Sequence, residues 1–82
     1  MSKLSVRMEG PAVYRICVQG RLAPAWSDRL EGMSITGSEE TAGGPKTILV
    51  GRLPDQAALS GLLSTLYELH LPVLSVECLE AE

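Results

Sequence analysis

The clearest signal in the chain is an alternation of apolar and polar residues between residues 12 and 22. Tyr14, Ile16 and Val18 would share one face of an extended segment, and Gly20 interrupts the pattern. A period of two is typical of a strand that covers a core with one face and meets solvent with the other. The outward face would carry Arg15, Cys17, Gln19 and Arg21.

A second segment has the period of a helix. Asp55 precedes it and is a residue type that accepts hydrogen bonds from the free N–H groups of a first helical turn. Apolar residues then recur at spacings of three and four, which predicts a face that covers a sheet. That face comprises Leu59, Leu62, Leu63, Leu66 and Leu69, widened by Ala58 and Tyr67. The helix should end near His70, because Pro72 disfavours helical geometry at the residue before it.

The remaining elements are shorter. Three further segments predict strands: residues 33–36, 46–53 and 73–79. The small and charged residues 37–45 predict a mobile hairpin tip between two of these strands. Pro24 suits the first position of a short helix that contains Trp26, and Gly32 can end it.

The order of elements predicts an α+β fold of strand, short helix, strand, strand, helix, strand. We expect one domain over residues 12–79, an N-terminal arm over residues 1–11 and an acidic tail over residues 80–82. The arm is either loose or an edge strand, since Leu4, Val6 and Met8 alternate. If the strands form a meander and the helix returns the chain across one face, the result is a four-stranded mixed sheet of order 3-2-1-4. The alternative places strand four outside strand three.

The length of 82 residues leaves a thin stability margin, because a chain this short buries only about 60% of its unfolded surface. Small domains compensate with disulfides, a metal or oligomerisation. Cys17 and Cys78 both lie in apolar, strand-like stretches and are expected to be buried and reduced. With His70 as the only histidine, ligands for a closed zinc site are too few, so no metal or other cofactor is predicted. Of these three ways to stabilise a small domain, oligomerisation is the one that remains.

Charge and hydropathy exclude two classes of partner. The net charge is −3, and the seven basic residues are scattered along the chain, whereas nucleic-acid binding requires clustered Lys and Arg. The chain also lacks the run of roughly 18 apolar residues that a membrane span requires. We therefore expect a soluble, cytoplasmic protein that binds neither nucleic acid nor membrane.

Little in the chain points to catalysis. His70 is the only general base near neutral pH, so a hydrolase would have to combine it with Cys17 or Cys78. At a helix C-terminus, a histidine more commonly interacts with free carbonyls and the helix dipole. No nucleophile motif accompanies it. We expect no catalytic residue.

One set of residues could form a ligand or partner surface. Arg15, Gln19 and Arg21 share the outward face of the first strand and could bind an anion, while Trp26 could line a pocket. The simpler interpretations are a solvated sheet face for the polar residues and a lid over the core for Trp26. Both remain open at the level of sequence.

Three segments resemble a widespread family of short, uncharacterised bacterial proteins. They are Tyr14-Arg-Ile-Cys-Val-Gln-Gly-Arg-Leu22 with Trp26, Asp55-Gln-Ala-Ala-Leu-Ser-Gly-Leu-Leu63, and Leu71-Pro-Val-Leu-Ser-Val76. The resemblance implies a bacterial, cytosolic origin and carries no established activity or site residue. This chain has His70 at a position where the family leads us to expect a glycine that ends the helix.

Taken together, these patterns favour a non-catalytic module that associates with itself, most simply as a homodimer, or with a protein partner. A small-ligand or anion-binding protein is the alternative, followed by a His/Cys enzyme. Two surfaces are candidates for the dimer contact. One is the open sheet face with Val13 and Cys17, which offers the larger apolar area, and the other is the weakly charged helix face around Gly61.

Overall fold

The structure, a computed structural model, describes residues 10–81. Its elements are β1 (Ala12–Gln19), a 3₁₀ helix (Pro24–Arg29), β2 (Ser34–Thr41), β3 (Gly44–Leu53), α1 (Gln56–Glu68) and β4 (Val73–Ala81). The α+β class, the four strands and the single long helix are as predicted. Residues 1–9 of the predicted arm lie outside the described residues, and the first two residues of the predicted tail belong to β4.

The strand order is β2-β3-β1-β4, and every neighbouring pair is antiparallel. The predicted order 3-2-1-4 and the mixed sheet are therefore wrong, although β4 does lie at the edge beside β1. Both helical connections skip a strand: β1 and β2 run the same way with β3 between them, and β3 and β4 run the same way with β1 between them. This is the split β-α-β arrangement of a ferredoxin-like fold, with its first helix reduced to a 3₁₀ turn.

The segment after β1 explains why β1 and β2 are not neighbours. Leu22, Leu30 and Met33 are all buried in the core, so this segment crosses the helix-side face of the sheet instead of forming a hairpin. It passes over β3, where Gly51 leaves room for Met33. A glycine inside a strand often marks such a close approach.

The core lies between the sheet and α1. Tyr14, Ile16 and Val18 of β1 are buried in it, as the alternation predicts. From α1, Leu62 and Leu66 are fully buried, whereas Tyr67 is 82% exposed. The expectation that Tyr67 widens the covering face is wrong, because it lies one residue, or about 100° of helix rotation, past Leu66.

The ends of α1 lie close to where the sequence predicts them. The Asp55 carboxylate accepts a 2.8 Å hydrogen bond from the N–H of Ala58. At the other end His70 has φ of 62°, and the N–H of Leu71 donates to the carbonyl of Leu66. These features form a Schellman motif in which the left-handed position usually belongs to glycine. His70 therefore has a main-chain conformation that glycine adopts more readily than other residues.

The hairpin tip is shorter than predicted, because β2 and β3 extend into residues 37–45 and leave a two-residue turn at Ala42 and Gly43. Its mobility stays a prediction. Cross-strand contacts support these polar strands, including an ion pair of 3.3 Å between Lys46 and Glu39. The Gln19 amide also donates a 2.7 Å hydrogen bond to the carbonyl of Pro45. These contacts join residues on different strands, so the composition of residues 37–45 alone does not reveal them.

Candidate functional site

The outer edge of β4 is the most unusual surface of the described residues. β1 pairs with one side of β4, and no strand within residues 10–81 pairs with the other. Its large apolar residues are exposed: Val73 by 39%, Leu74 by 49%, Val76 by 42% and Leu79 by 49%. A long apolar edge strand is a template for pairing with another chain.

The opposite edge of the sheet is different. β2 contributes mainly small and charged residues, and Glu39 and Glu40 pair with Lys46 and Arg21. Charged side chains on an edge strand prevent unwanted pairing. The two edges therefore differ in chemistry, with β2 protected and β4 open.

The pairing of β4 with β1 is regular only in its middle. Ser75, Val76, Glu77 and Cys78 follow one another opposite β1, but the register passes over Leu74 and Leu79. Such irregularities resemble bulges, which bend and twist a strand. The regular segment, residues 75–78, is the part of the edge best suited to accept another strand.

A groove of about 730 Å³ adjoins the start of β4. It is lined by Leu63, Tyr67, Glu68, His70, Leu71, Pro72 and Val73. The walls come from the last turns of α1, the connection after it and the first residue of β4. The groove is mainly apolar, with Glu68 and His70 as its charged or polar members. It is continuous with the β4 edge, because Val73 belongs to both.

The open face of the sheet, on the side away from α1, is less exposed than the sequence suggests. Four apolar residues point to this face, and all of them are half-buried: Val13, Cys17, Ile48 and Val50. Val73 lies opposite Val18 and therefore on the helix side. Ion pairs frame the face, including a contact of 2.6 Å between Arg15 and Glu77.

The four predicted surface residues do not form one site. Arg15 and Gln19 lie on the open face, where Arg15 pairs with Glu77 and Gln19 donates to main-chain carbonyls. Arg21 lies beyond β1 and pairs with Glu40 at 3.1 Å. Trp26 packs against the core on the helix side. A ligand role for any of them stays a prediction.

Trp26 does line a shallow cavity of about 290 Å³ together with Ala25 and Arg29. The Arg29 guanidinium carbon lies 5.4 Å from the centre of the Trp26 ring, a cation–π distance. The indole is therefore already covered in part by its own chain. This arrangement fits a half-buried lid over the core.

The structure does not bring His70 and the cysteines together into a catalytic pair. Cys17 lies on the open face, whereas His70 follows α1 on the other side. Cys78 is separated from His70 by the length of β4. Val73 begins the strand shortly after His70, and Cys78 lies five residues further along it, or about 16 Å at the usual rise of a strand. Within residues 10–81, no three His, Cys, Asp or Glu side chains form a group that could hold a metal ion.

Sequence reasoning did not single out the β4 edge or Tyr67. A signal was present: residues 73–79 carry apolar side chains at both odd and even positions, as a strand with no solvated face would. This pattern predicts burial on both faces. In the single chain it is not satisfied, because β4 lies at an edge.

Comparison with curated proteins and with solved structures found no match. Among the described residues, no helix is long and apolar enough to cross a membrane. A family model described as a domain of unknown function, DUF8691, matches residues 13–77. This range runs from β1 into β4 and includes most of the fold. The chain therefore belongs to the DUF8691 family of domains of unknown function.

Proposed function

We propose that the protein is a non-catalytic module that associates with itself by pairing the β4 strands of two copies. The observation that carries the proposal is the exposure of four large apolar residues on an edge strand whose outer side has no partner within residues 10–81. The pairing would join two four-stranded sheets into one continuous sheet. A two-fold axis would relate the copies, as in most small homo-oligomers.

Main-chain hydrogen bonding is the first support for this contact. An edge strand presents a row of N–H and C=O groups that a second strand can satisfy. The outer edge of β4 offers this row between its two irregular positions, Leu74 and Leu79. A thin stability margin in a chain of 82 residues makes the extra burial useful.

Self-complementarity favours a second copy as the occupant of this edge. If the two-fold axis passes through Val76, this valine lies opposite its own copy, and no two carboxylates of the regular segment face each other. Within that segment, residues 75–78, Ser75 of one copy lies opposite Glu77 of the other. Opposite residues in an antiparallel pair lie about 4.5 to 5.5 Å apart at Cα, close enough for these side chains to pack.

Local charge also fits this register. Glu77 would face Ser75 of the other copy, and its carboxylate already accepts a hydrogen bond of 2.8 Å from Arg15 of its own chain. An axis through Glu77 would instead place two carboxylates opposite each other, which destabilises a strand pair. The register about Val76 avoids this repulsion.

Sedimentation equilibrium at micromolar concentration tests the proposal. We expect a dimer for the native chain and a monomer for Val76→Lys, because the lysine would meet its own copy at the two-fold axis. The matched control is Ser38→Lys on the β2 edge, which should remain dimeric. Circular dichroism should show that both variants fold. A monomeric native chain at this concentration would refute self-association.

We also propose that the module acts in the bacterial cytoplasm. The support is that Cys17 and Cys78 are free thiols and lie on opposite faces of the sheet, so the fold does not depend on a disulfide. Fractionation of the native cell, followed by immunodetection, tests the location. Recovery of the protein outside the cytoplasmic fraction would contradict it.

A further inference from the structure

We infer that the groove beside β4 binds a small organic cation, an ammonium group carried on an apolar or aromatic body. This inference goes beyond the proposed function and does not depend on it. All the residues that line the groove come from one chain, and none of them belongs to the segment 75–78 of β4. The groove therefore has the same lining in a monomer and in a dimer paired through that segment.

The groove has the size and composition of a small-molecule site. Its volume of about 730 Å³ lies within the range of roughly 300 to 1,000 Å³ that is usual for ligand pockets. Such pockets are mainly apolar and contain a few polar groups that orient the ligand. Here the apolar walls come from Leu63, Leu71, Pro72 and Val73. The remaining residues of the lining supply polar atoms: Tyr67, Glu68 and His70.

The charge at the groove favours a cation. Glu68 belongs to the lining and forms no ion pair within residues 10–81. The groove also adjoins the C-terminal end of α1, where the helix dipole places a partial negative charge. The last turn of α1 carries no basic residue that would offset this charge. Pro72 has no N–H group, so it cannot donate to the carbonyl of Glu68 four residues before it.

Tyr67 supplies an aromatic surface next to this negative charge. Its side chain is 82% exposed although it lines the groove, so most of the ring is open to a ligand. The face of an aromatic ring attracts a cation that lies within about 6 Å of its centre. Leu63 lies one helical turn before Tyr67 and extends the same wall with apolar surface. An ammonium group on an apolar body therefore matches both the charged and the apolar residues of the groove.

Three small probes with the same phenyl ring and different charge test the inference. They are 2-phenylethylammonium, the neutral 2-phenylethanol and the anionic 3-phenylpropanoate. Each is titrated into the full, isotopically labelled chain, and the main-chain amide signals are followed by NMR. We expect the ammonium to shift the signals of the groove residues in a saturable way, with a Kd of about 1 mM for a probe of this size. The alcohol should bind at least about threefold more weakly, and the carboxylate should not saturate.

Two variants assign the binding to individual residues. Glu68→Gln removes the carboxylate and should raise the Kd of the ammonium by about three- to fivefold, while the Kd of the alcohol stays unchanged. Tyr67→Leu keeps an apolar side chain without a ring and should raise the Kd of the ammonium by about two- to fivefold. The matched control is Glu80→Gln, which removes the same charge near the other end of β4, outside the groove lining. It should leave the Kd of the ammonium unchanged.

The other results would each overturn the inference. Equal binding of the three probes would show that charge selects no ligand, and shifts outside the groove would place the site elsewhere. Binding that appears only after removal of residues 2–9, which include Lys3 and Arg7, would assign the groove to that segment of the same chain. Binding that disappears as the chain dimerises would assign it to a second copy. A monomeric native chain that binds the ammonium would refute self-association and leave the groove assignment standing.

Discussion

Gly51 of β3 lies so close to Met33 that a Cβ atom on the glycine would be 2.6 Å from the Met33 Sδ atom and 3.0 Å from its Cα atom. The second distance involves the main chain, which cannot rotate out of the way as a side chain can. Met33 is fully buried and belongs to the segment that leads from β1 across β3 to β2. This contact fixes where the chain crosses the sheet.

We therefore predict that Gly51→Ala destabilises the fold by about 1 to 3 kcal/mol, the usual cost of overpacking a core. Urea unfolding followed by circular dichroism measures the change. Gly37→Ala is the matched control, because nothing lies within 4 Å of its added Cβ and Gly37 is also in a strand. The control should change the free energy of unfolding by less than about 0.5 kcal/mol. Equal effects of the two substitutions would contradict the close packing at Gly51.

A second prediction concerns His70, whose φ of 62° lies in the left-handed region. A non-glycine residue there costs roughly 1 to 2 kcal/mol, whereas glycine adopts the conformation freely. Glycine also raises the entropy of the unfolded chain, and this offsets part of the relieved strain. We therefore expect His70→Gly to stabilise the fold by about 0.5 to 1 kcal/mol. His70→Ala keeps a Cβ atom and should bring no gain. Thermal unfolding of both variants decides the matter, and a loss of stability in His70→Gly would assign His70 a packing role.

A third prediction follows from the space around Gly61. The nearest atom to an added Cβ is the Glu31 Oε2 atom at 3.9 Å, so alanine fits without any shift. Gly61→Ala should stabilise the fold by about 0.5 to 1 kcal/mol, since glycine is a poor residue for a helix interior.

If α1 instead provides the dimer contact through Gly61, Gly61→Arg would dissociate the dimer. We expect Gly61→Arg to leave the sedimentation mass unchanged.

A fourth prediction concerns the thiols. Cys17 lies opposite Ser75 of β4, three residues or about 10 Å along the strand from Cys78, and the two side chains point to opposite faces. A disulfide requires Cα atoms within about 7 Å. Exposure to a mild oxidant should therefore leave the monomer mass unchanged, with no loss of two hydrogens. Because both cysteines are half-buried, alkylation in the folded state should be slower than in urea. Rapid alkylation of both would refute their burial.

Local patterns were sufficient for the elements with strong periodicity. The alternation around Ile16 predicted β1 and its buried face, and the spacing of Leu62 and Leu66 predicted the covering face of α1. Asp55 and His70 marked the ends of the helix correctly, because caps depend on the residue type at one or two positions. The polar residues of β2 gave no such signal, since their support comes from residues outside the strand: Lys46 on the neighbouring β3 and Arg21 in the segment after β1.

The candidate site was less accessible to such reasoning. The expected self-association and its open sheet face came from counting apolar residues that α1 could not cover. The structure instead places the most exposed apolar side chains on β4 and at the groove, whereas the apolar residues of the open face are partly buried and are framed by ion pairs. The exposure of a strand's side chains depends on which strands lie beside it, and the alternation of apolar and polar residues along the strand does not specify those neighbours.

The amino-acid sequence by itself determined the type, order and approximate limits of most elements, together with the buried face of β1 and of α1. Those properties depend on hydrogen bonds and side-chain directions within a few residues. Only the tertiary structure decided that β3 lies between β1 and β2 and that the apolar strand β4 forms an open edge. The physical reason is that strand order is set by contacts between distant segments, such as the passage of Met33 over Gly51, and no local pattern contains both partners of such a contact.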